Sequence, residues 1–468
     1  MKKIIMLTFV ITILLSGCIL GPDFQKPDYN SPEKFRFDAL ATDTVINLQW
    51  WELFNDPVLD TLIKTALNEN KDVLIAAARI EAARANIGYT NADQWPSLGY
   101  SAGASKSNYA GIKQPTASNS FFTYPELSWE IGFWGSYIRL TEAAKANLLA
   151  SEYGMRTIQM SLIANVASTY FELLNNKEKL LISENTLASR DSGLLIIEAR
   201  YKWGIIAEID LNQSQVQRAI SAAAIPQYKR AIAQTENSLS VLLGHNPRYI
   251  TTETSLFDMA VPPDIPTGLP SQLLERRPDI KQAEALLQSQ NAQIGVAEAM
   301  RFPSLNLTGL LGAASNDLST LTTGGLAWSV GGSLLGPVFQ FGKNKKRVEM
   351  ARYEAEAMLY EYESVVLQAF SEVENALISI ETLKEEILAQ EMRYEAAANA
   401  EMLSENRYSL GETSYLEVMD SQRQLFDAQL NFTQTRMNLL NAYVKLYKAL
   451  GGGWLSPDEE KVSNQLPK

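Results

Sequence analysis

The sequence predicts a mainly α protein with a small β part, made of two duplicated half-molecules that each carry a very long coiled-coil-like helix and two short strands. Three observations predict it. The chain matches itself at one offset, as when Tyr201-Lys202-Trp203-Gly204 falls on Tyr408-Ser409-Leu410-Gly411, 408 − 201 = 207 residues on. Long polar stretches carry apolar residues in steps of three and four, the helical period. Short segments alternate apolar and polar residues in steps of two, the strand period.

The repeat needs no gap from residue 72 to 244. Asp72-Val73 falls on Asp279-Ile280, and Trp95-Pro96-Ser97-Leu98 on Phe302-Pro303-Ser304-Leu305. Trp134-Gly135 falls on Phe341-Gly342, and Leu243-Gly244 on Leu450-Gly451. A period this long is a duplicated half-molecule, not a solenoid. The boundaries that follow are a leader at 1–17, an anchor and extended segment at 18–55, repeats at 56–262 and 263–452, and a tail at 453–468.

Each half has the same order. A helical pattern covers about 57–91 in the first and 271–299 in the second. The aromatic-Pro-Ser-Leu sequence stops it, because proline moves its predecessor out of helical geometry. Two strand-like segments come next, then a long helix over about 137–203 and 344–408. The first of these is 67 positions, about 100 Å if unbroken. Tyr353, Ala357, Tyr360, Phe370, Val373, Leu377 and Ile380 step by three and four, with Glu, Lys, Gln and Ser on the other faces. Such helices pack on one side and stand in water on the other. A final helix spans about 208–243 and 414–450; Pro226 should kink the first copy or end it early.

The strands alternate most clearly in Leu127-Ser128-Trp129-Glu130-Ile131-Gly132-Phe133, in Leu305-Asn306-Leu307-Thr308 and in Leu326-Ala327-Trp328-Ser329-Val330. Tyr100, Ala102 and Ala104 give a fainter version, and Pro125 limits where the second strand can begin. Apolar-out, polar-in segments with aromatic ends are the pattern of a membrane β-barrel. Four strands cannot close one, and open edges in lipid leave backbone groups unsatisfied. Several chains must therefore share a barrel.

The N-terminus reads as a secretory leader: Lys2 and Lys3, then an apolar run from Ile4 to Leu15. Leu15-Ser16-Gly17-Cys18 resembles the bacterial lipoprotein signal, which implies a covalent diacylglycerol and an N-acyl chain on Cys18. Cys18 is the only cysteine, so no disulfide within the chain is possible. Removing the leader takes the charge to −12 − 2 = −14. An acidic chain without a dominant basic cluster gives no reason to expect nucleic acid.

No enzymatic constellation is present. His245, the only histidine, sits in the helix-stop sequence Gly244-His245-Asn246-Pro247 and reads as a turn residue. No Cys/His metal cluster, histidine-based triad or phosphate-binding glycine pattern occurs. Lys343-Asn344-Lys345-Lys346-Arg347, just after the last strand, reads as a solvated helix start or as a segment near lipid head groups.

Several motifs carry a resemblance to a known family. Gln49-Trp50-Trp51-Glu52-Leu53-Phe54-Asn55-Asp56-Pro57, Leu269-Pro270-Ser271-Gln272-Leu273-Leu274-Glu275-Arg276-Arg277-Pro278-Asp279, Phe302-Pro303-Ser304-Leu305 and Tyr415-Leu416-Glu417-Val418-Met419-Asp420 resemble outer-membrane efflux lipoproteins of the NodT type, in the TolC-like outer-membrane factor family. The resemblance covers essentially the mature chain. It implies a homotrimer, with a twelve-stranded barrel in the outer membrane and an α-helical tunnel in the periplasm. It also implies two partners, a periplasmic adaptor and an inner-membrane pump, commonly of the resistance–nodulation–division class.

The resemblance further implies a closed aperture at the periplasmic tip, with Leu416, Glu417 and Asp420 facing the pore and Asp210 at the first-half equivalent of Glu417. Some relatives have a linking arginine four positions before that glutamate; here the place is Thr413, and Tyr408 or Arg423 are the candidate substitutes. From spacing alone, Glu417 and Asp420 read as favourable charges in a helix's first turns, which is what Asp and Glu there usually are. Two other functions fit the same sequence: the exit channel of a type I protein-secretion system, and a structural periplasmic coiled-coil lipoprotein without a pore.

Overall fold

The computed structural model describes residues 19–37, 49–108, 117–263, 270–324 and 326–452. Cys18, the leader and the tail at 453–468 lie outside them.

Helices α1 (Pro57–Glu69) and α2 (Lys71–Ala92) precede strands β1 (Ser97–Ser107) and β2 (Ser118–Ile131), the 67-residue α3 (Ser136–Lys202) and α4 (Glu208–Leu242). The second half repeats this with α5 (Pro270–Arg276), α6 (Pro278–Ala299), β3 (Ser304–Ser315), β4 (Leu326–Leu335), α7 (Lys343–Ser409) and α8 (Tyr415–Ala449). From α2 and α6 onward, each repeated element begins and ends at or near the 207-residue offset, and α1 and α5 end on it, at Glu69 and Arg276.

Four local expectations needed correction. The pattern at 57–91 is two helices, because Asn70 is extended (ψ 134°) and its Oδ1 accepts from the Asp72 and Val73 amides at the start of α2. The pattern at 271–299 breaks before Pro278 for the steric reason given above. Pro226 does not end α4 early: the helix continues to Leu242, so the missing amide costs a bond without stopping it. Pro125 does not delimit β2, which starts at Ser118. Pro125 lies opposite Tyr100 of β1, while the β2–β3 ladder skips from Thr123↔Ala313 to Glu126↔Leu310. At that gap Gly312 lets the strands close in, since a Cβ there would lie 2.3 Å from the Thr123 carbonyl oxygen.

The chain divides into two compact units, and α3 and α7 contribute residues to both. The first unit holds the sheet, antiparallel in the order β1-β2-β3-β4, so the two halves meet at β2–β3. Its register aligns Leu98 with Leu127, Leu127 with Gly309, Gly309 with Val330, and Leu311 with Trp328. One face therefore carries Leu98, Tyr100, Leu127, Leu311, Trp328 and Val330, all largely exposed. The opposite face carries Ser101, Glu126, Glu130, Asn306, Thr308 and Ser329. An exposed apolar face backed by a polar one suits lipid on one side and water on the other. Among the described residues β1 and β4 are both unpaired edges.

In the same unit, residues 19–23 lie against the starts and ends of helices. Buried Arg139 donates to the Leu20 and Gly21 carbonyls and pairs with Asp23 at 2.8 Å. Gly21 has φ +92°, and a Cβ on it would lie 2.4 Å from the Gly295 Cα. The segment directly after Cys18 is thus held where the sheet meets the helices.

The second unit contains the main core. Trp50 stacks on Tyr447 at 5.0 Å, and Phe54 meets Phe171 edge-on at 4.9 Å. Asp56 caps α1 through the Val58 and Leu59 amides and accepts from the Tyr170 hydroxyl at 2.8 Å. Arg277, 3% exposed, pairs with Asp279 at 2.6 Å and Glu372 at 2.8 Å and donates to the Ala449 carbonyl. Two of the motifs that carried the family resemblance are therefore packing devices.

His245 follows Gly244 at the end of α4, as a turn residue, 3.7 Å from the Glu69 carboxylate. Among the described residues no helix is long and apolar enough to cross a membrane, and no group of three or more His, Cys, Asp or Glu could hold a metal ion.

Candidate functional site: the helical tip

The candidate site is built by the two turns where the long helices reverse. After α3, the Gly204 amide donates to the Tyr201 carbonyl and the Ile205 amide to Arg200; Gly204 has φ +70°. After α7, Gly411 donates to Tyr408 and Glu412 to Arg407; Gly411 has φ +77°. Only glycine takes this left-handed geometry without steric cost, so both glycines end their helices in the same way. The next helices also start alike: the Asp210 amide donates to Ala207, and the Glu417 amide to Ser414. Asp210 and Glu417 are thus structurally equivalent.

Leu416 is 57% exposed at the start of α8, close in sequence to Leu410, which is 74% exposed. Glu417 is held inside its own chain. Arg407, in the last turn of α7, approaches it at 2.5 Å, and the Thr413 hydroxyl donates to its other oxygen. Asp420 accepts from Arg423 and from Gln424, each at 2.6 Å. Those two donors hold the Asp420 carboxyl below its ordinary pKa.

The candidate linking residues separate into two kinds. Arg423 is committed to its own helix, pairing with Asp420 and, at 3.7 Å, with Asp427. Among the described residues it pairs with no second element. Tyr408 does reach the other half. The Arg200 guanidinium of α3 lies 4.6 Å from its ring centroid, and the Tyr415 ring lies 5.2 Å away on the other helix of its own pair. Burial raises the Tyr408 phenol, which Arg200 opposes and which Tyr415 and then Asp210 reinforce. The Tyr415 hydroxyl lies 3.4 Å from Ser214 of α4, and a Cβ on Gly193 of α3 would meet it at 3.3 Å.

Sequence reasoning missed Arg407, Arg200, Tyr415 and the buried Arg190. Arg190 donates to the Gln217 carbonyl and the Ser221 hydroxyl and lies 5.3 Å from the Phe426 ring, joining α3, α4 and α8. Burial lowers its pKa. A signal existed for Arg407: it is the one basic residue in the last turn of α7. Just inside the tip, the Ser404 and Ser421 hydroxyls meet at 2.6 Å between α7 and α8. Glu401, close by, is raised to about 7 by burial and then by Glu405.

The arrangement sets exposed leucines and salt-bridged carboxylates at one end of a helical array. The outer membrane efflux protein model matches residues 62–245 and 269–452, two segments offset by 269 − 62 = 207 residues. The chain belongs to the outer membrane efflux protein family. It is 32% identical over 483 residues to the probable efflux pump outer membrane protein TtgC of Pseudomonas putida, covering all of both chains. It is 30% identical to the probable outer membrane lipoprotein SilC of Salmonella typhimurium, over 97% of this chain and all of that one. Among solved structures, the outer-membrane channel OprN aligns with a TM-score of 0.86 at 29% identity, over 93% of this chain and all of that one.

This family member is an outer-membrane channel component of a tripartite efflux pump, which implies adaptor and inner-membrane partners. The named relatives are efflux-pump outer-membrane components and a channel, which favours this reading over a secretion exit or a poreless structural lipoprotein.

Proposed function

We propose that three copies of this chain close their sheets into one twelve-stranded barrel and that the helices continue it as a conduit gated at the tip. The observation that carries this is the sheet: one exposed apolar face, one polar face and two unpaired edges, β1 and β4. A sheet of that kind is stable in lipid only when other chains pair its edges. The conduit is passive; energy comes from the inner-membrane pump, of the resistance–nodulation–division class, through a periplasmic adaptor.

At the tip, Leu416, Glu417 and Asp420 of each copy, with Asp210 as the first-half counterpart, line the constriction. Rings of leucine oppose ions, and rings of carboxylates favour cations. Arg407 and Thr413 hold Glu417, and Arg200 and Tyr408 hold the two helix pairs together. This gives the tip a latch inside each chain, in place of the arginine absent at Thr413. Cys18 carries the acyl chains, and the Arg139 contacts hold the following residues at the sheet boundary.

The mass of the detergent-solubilised protein tests the assembly: three chains are expected, and a stable monomer contradicts it. Acyl labelling of Cys18→Ser tests the anchor, since the label should vanish while the barrel keeps the protein in the membrane. Retained label would place the lipid elsewhere.

A further inference from the structure

The junctions between sheet and long helix differ between the repeats. In the first half, the turn at Trp134-Gly135 is covered: a Cβ on Gly135 would meet Ile19 at 3.0 Å, and the Leu20 amide donates to the Trp134 carbonyl. In the second half, the equivalent turn at Phe341-Gly342 is open, with nothing within 4 Å of a Cβ on Gly342. Phe341 is 91% exposed, Val338 is fully exposed, and Phe339 packs on Phe341 at 4.6 Å. Beside these rings is a shallow groove of about 170 Å³ lined by Arg301, Phe339, Gln340, Lys343, Asn344 and Lys345.

Its charge is specific to this half. At Arg301, Lys343 and Lys345 the first repeat has Gln94, Ser136 and Ile138. Neighbouring cations are already neutralised, Lys346 by Glu349 at 2.5 Å and Arg352 by Glu298 at 2.9 Å. Arg301, Lys343 and Lys345 form no ion pair among the described residues, although Lys345 lies near enough to Glu349 to help hold its carboxyl below the ordinary pKa. Three cations outside any ion pair thus line this groove beside exposed aromatic and aliphatic side chains, at the helix-side end of a sheet whose apolar face continues through Leu334.

We infer that this groove is a seat for an anionic phospholipid of the leaflet facing the helices, its phosphate held by Arg301, Lys343 and Lys345 and its acyl chains lying along Val338, Phe339 and Phe341. Cations at a membrane surface attract anionic head groups, and aromatic rings settle at the head-group level. The first repeat holds the segment after Cys18 at this position, and the second offers a non-covalent lipid site instead. The inference rests on the outer-membrane placement of the sheet, and it commits to lipid as the occupant rather than a second chain.

The test uses the full-length protein in nanodiscs of equimolar phosphatidylglycerol and phosphatidylcholine with identical chains, with retained lipids counted by native mass spectrometry. The wild type should retain phosphatidylglycerol in clear excess. Arg301→Gln/Lys343→Gln/Lys345→Gln should lower that preference about tenfold or more, whereas Lys346→Gln should leave it unchanged. Should the triple variant fail to assemble, the wild type alone decides, because raising salt to about 1 M should abolish a preference resting on exposed charges. No preference in the wild type, or an equal one in the triple variant, overturns the seat. If ion conductance of the reconstituted wild type persists in that case, the channel reading stands and only the lipid seat fails.

Discussion

Arg407 and Glu417 meet at 2.5 Å across the turn between α7 and α8, the last turn of one helix gripping the first turn of the next. Both side chains are about half exposed, so the pair adds little stability, about 0–1 kcal/mol. Its role is positional. Arg407→Ala should leave the melting temperature of the assembled protein nearly unchanged and raise its single-channel conductance. Cation selectivity should rise too, because Glu417 loses its neutralising partner. Measurement in planar bilayers checks both.

Glu401 gives the tip a pH dependence. Burial and Glu405 raise its pKa to about 7, against an ordinary value of 4.5. Between those values the folded state binds more protons than the unfolded state. Stability should therefore fall as pH rises from about 5 to about 7, and level off above. Glu401→Gln should flatten that slope. Melting temperatures of both proteins across the window check the sign.

Arg277 ties the start of α6 to Glu372 of α7 and to the end of α8 while buried. Arg277→Ala leaves carboxylates and the Ala449 carbonyl without their donor. Loss of one partner from a fully buried ion pair costs about 3–5 kcal/mol, and the low end of that range applies here because Asp279 and Glu372 keep some exposure and Asp279 keeps the Ile280 amide. Denaturant unfolding of the solubilised protein should show a loss of that order, with conductance of the surviving channels unchanged.

The repeat and its long helices were legible in the sequence because they rest on period and offset. The expected helices at 137–203 and 344–408 differ from Ser136–Lys202 and Lys343–Ser409 by a residue at each end. Breaks at Asn70 and Arg277 were less legible, since each depends on one local cap or one steric clash inside an apolar pattern. β2 was cut short at Pro125 because a proline's cost depends on which neighbouring strand its missing amide would have faced.

At the tip, motif comparison located Leu416, Glu417 and Asp420 but not their partners. Spacing of three marks Arg423 as a partner of Asp420 in its own helix. Spacing of ten, between Arg407 and Glu417, signals nothing until the turn is known. Arg200 and Tyr408 come from different repeats, and only the packing brings them together.

The gate is tested most directly by the conductance of Glu417→Ala/Asp420→Ala channels in planar bilayers. With both carboxylates removed, the tip should loosen and lose its negative lining. Single-channel conductance should rise and cation selectivity should fall, relative to the wild type at the same salt. Unchanged conductance and selectivity would place the constriction elsewhere in the chain.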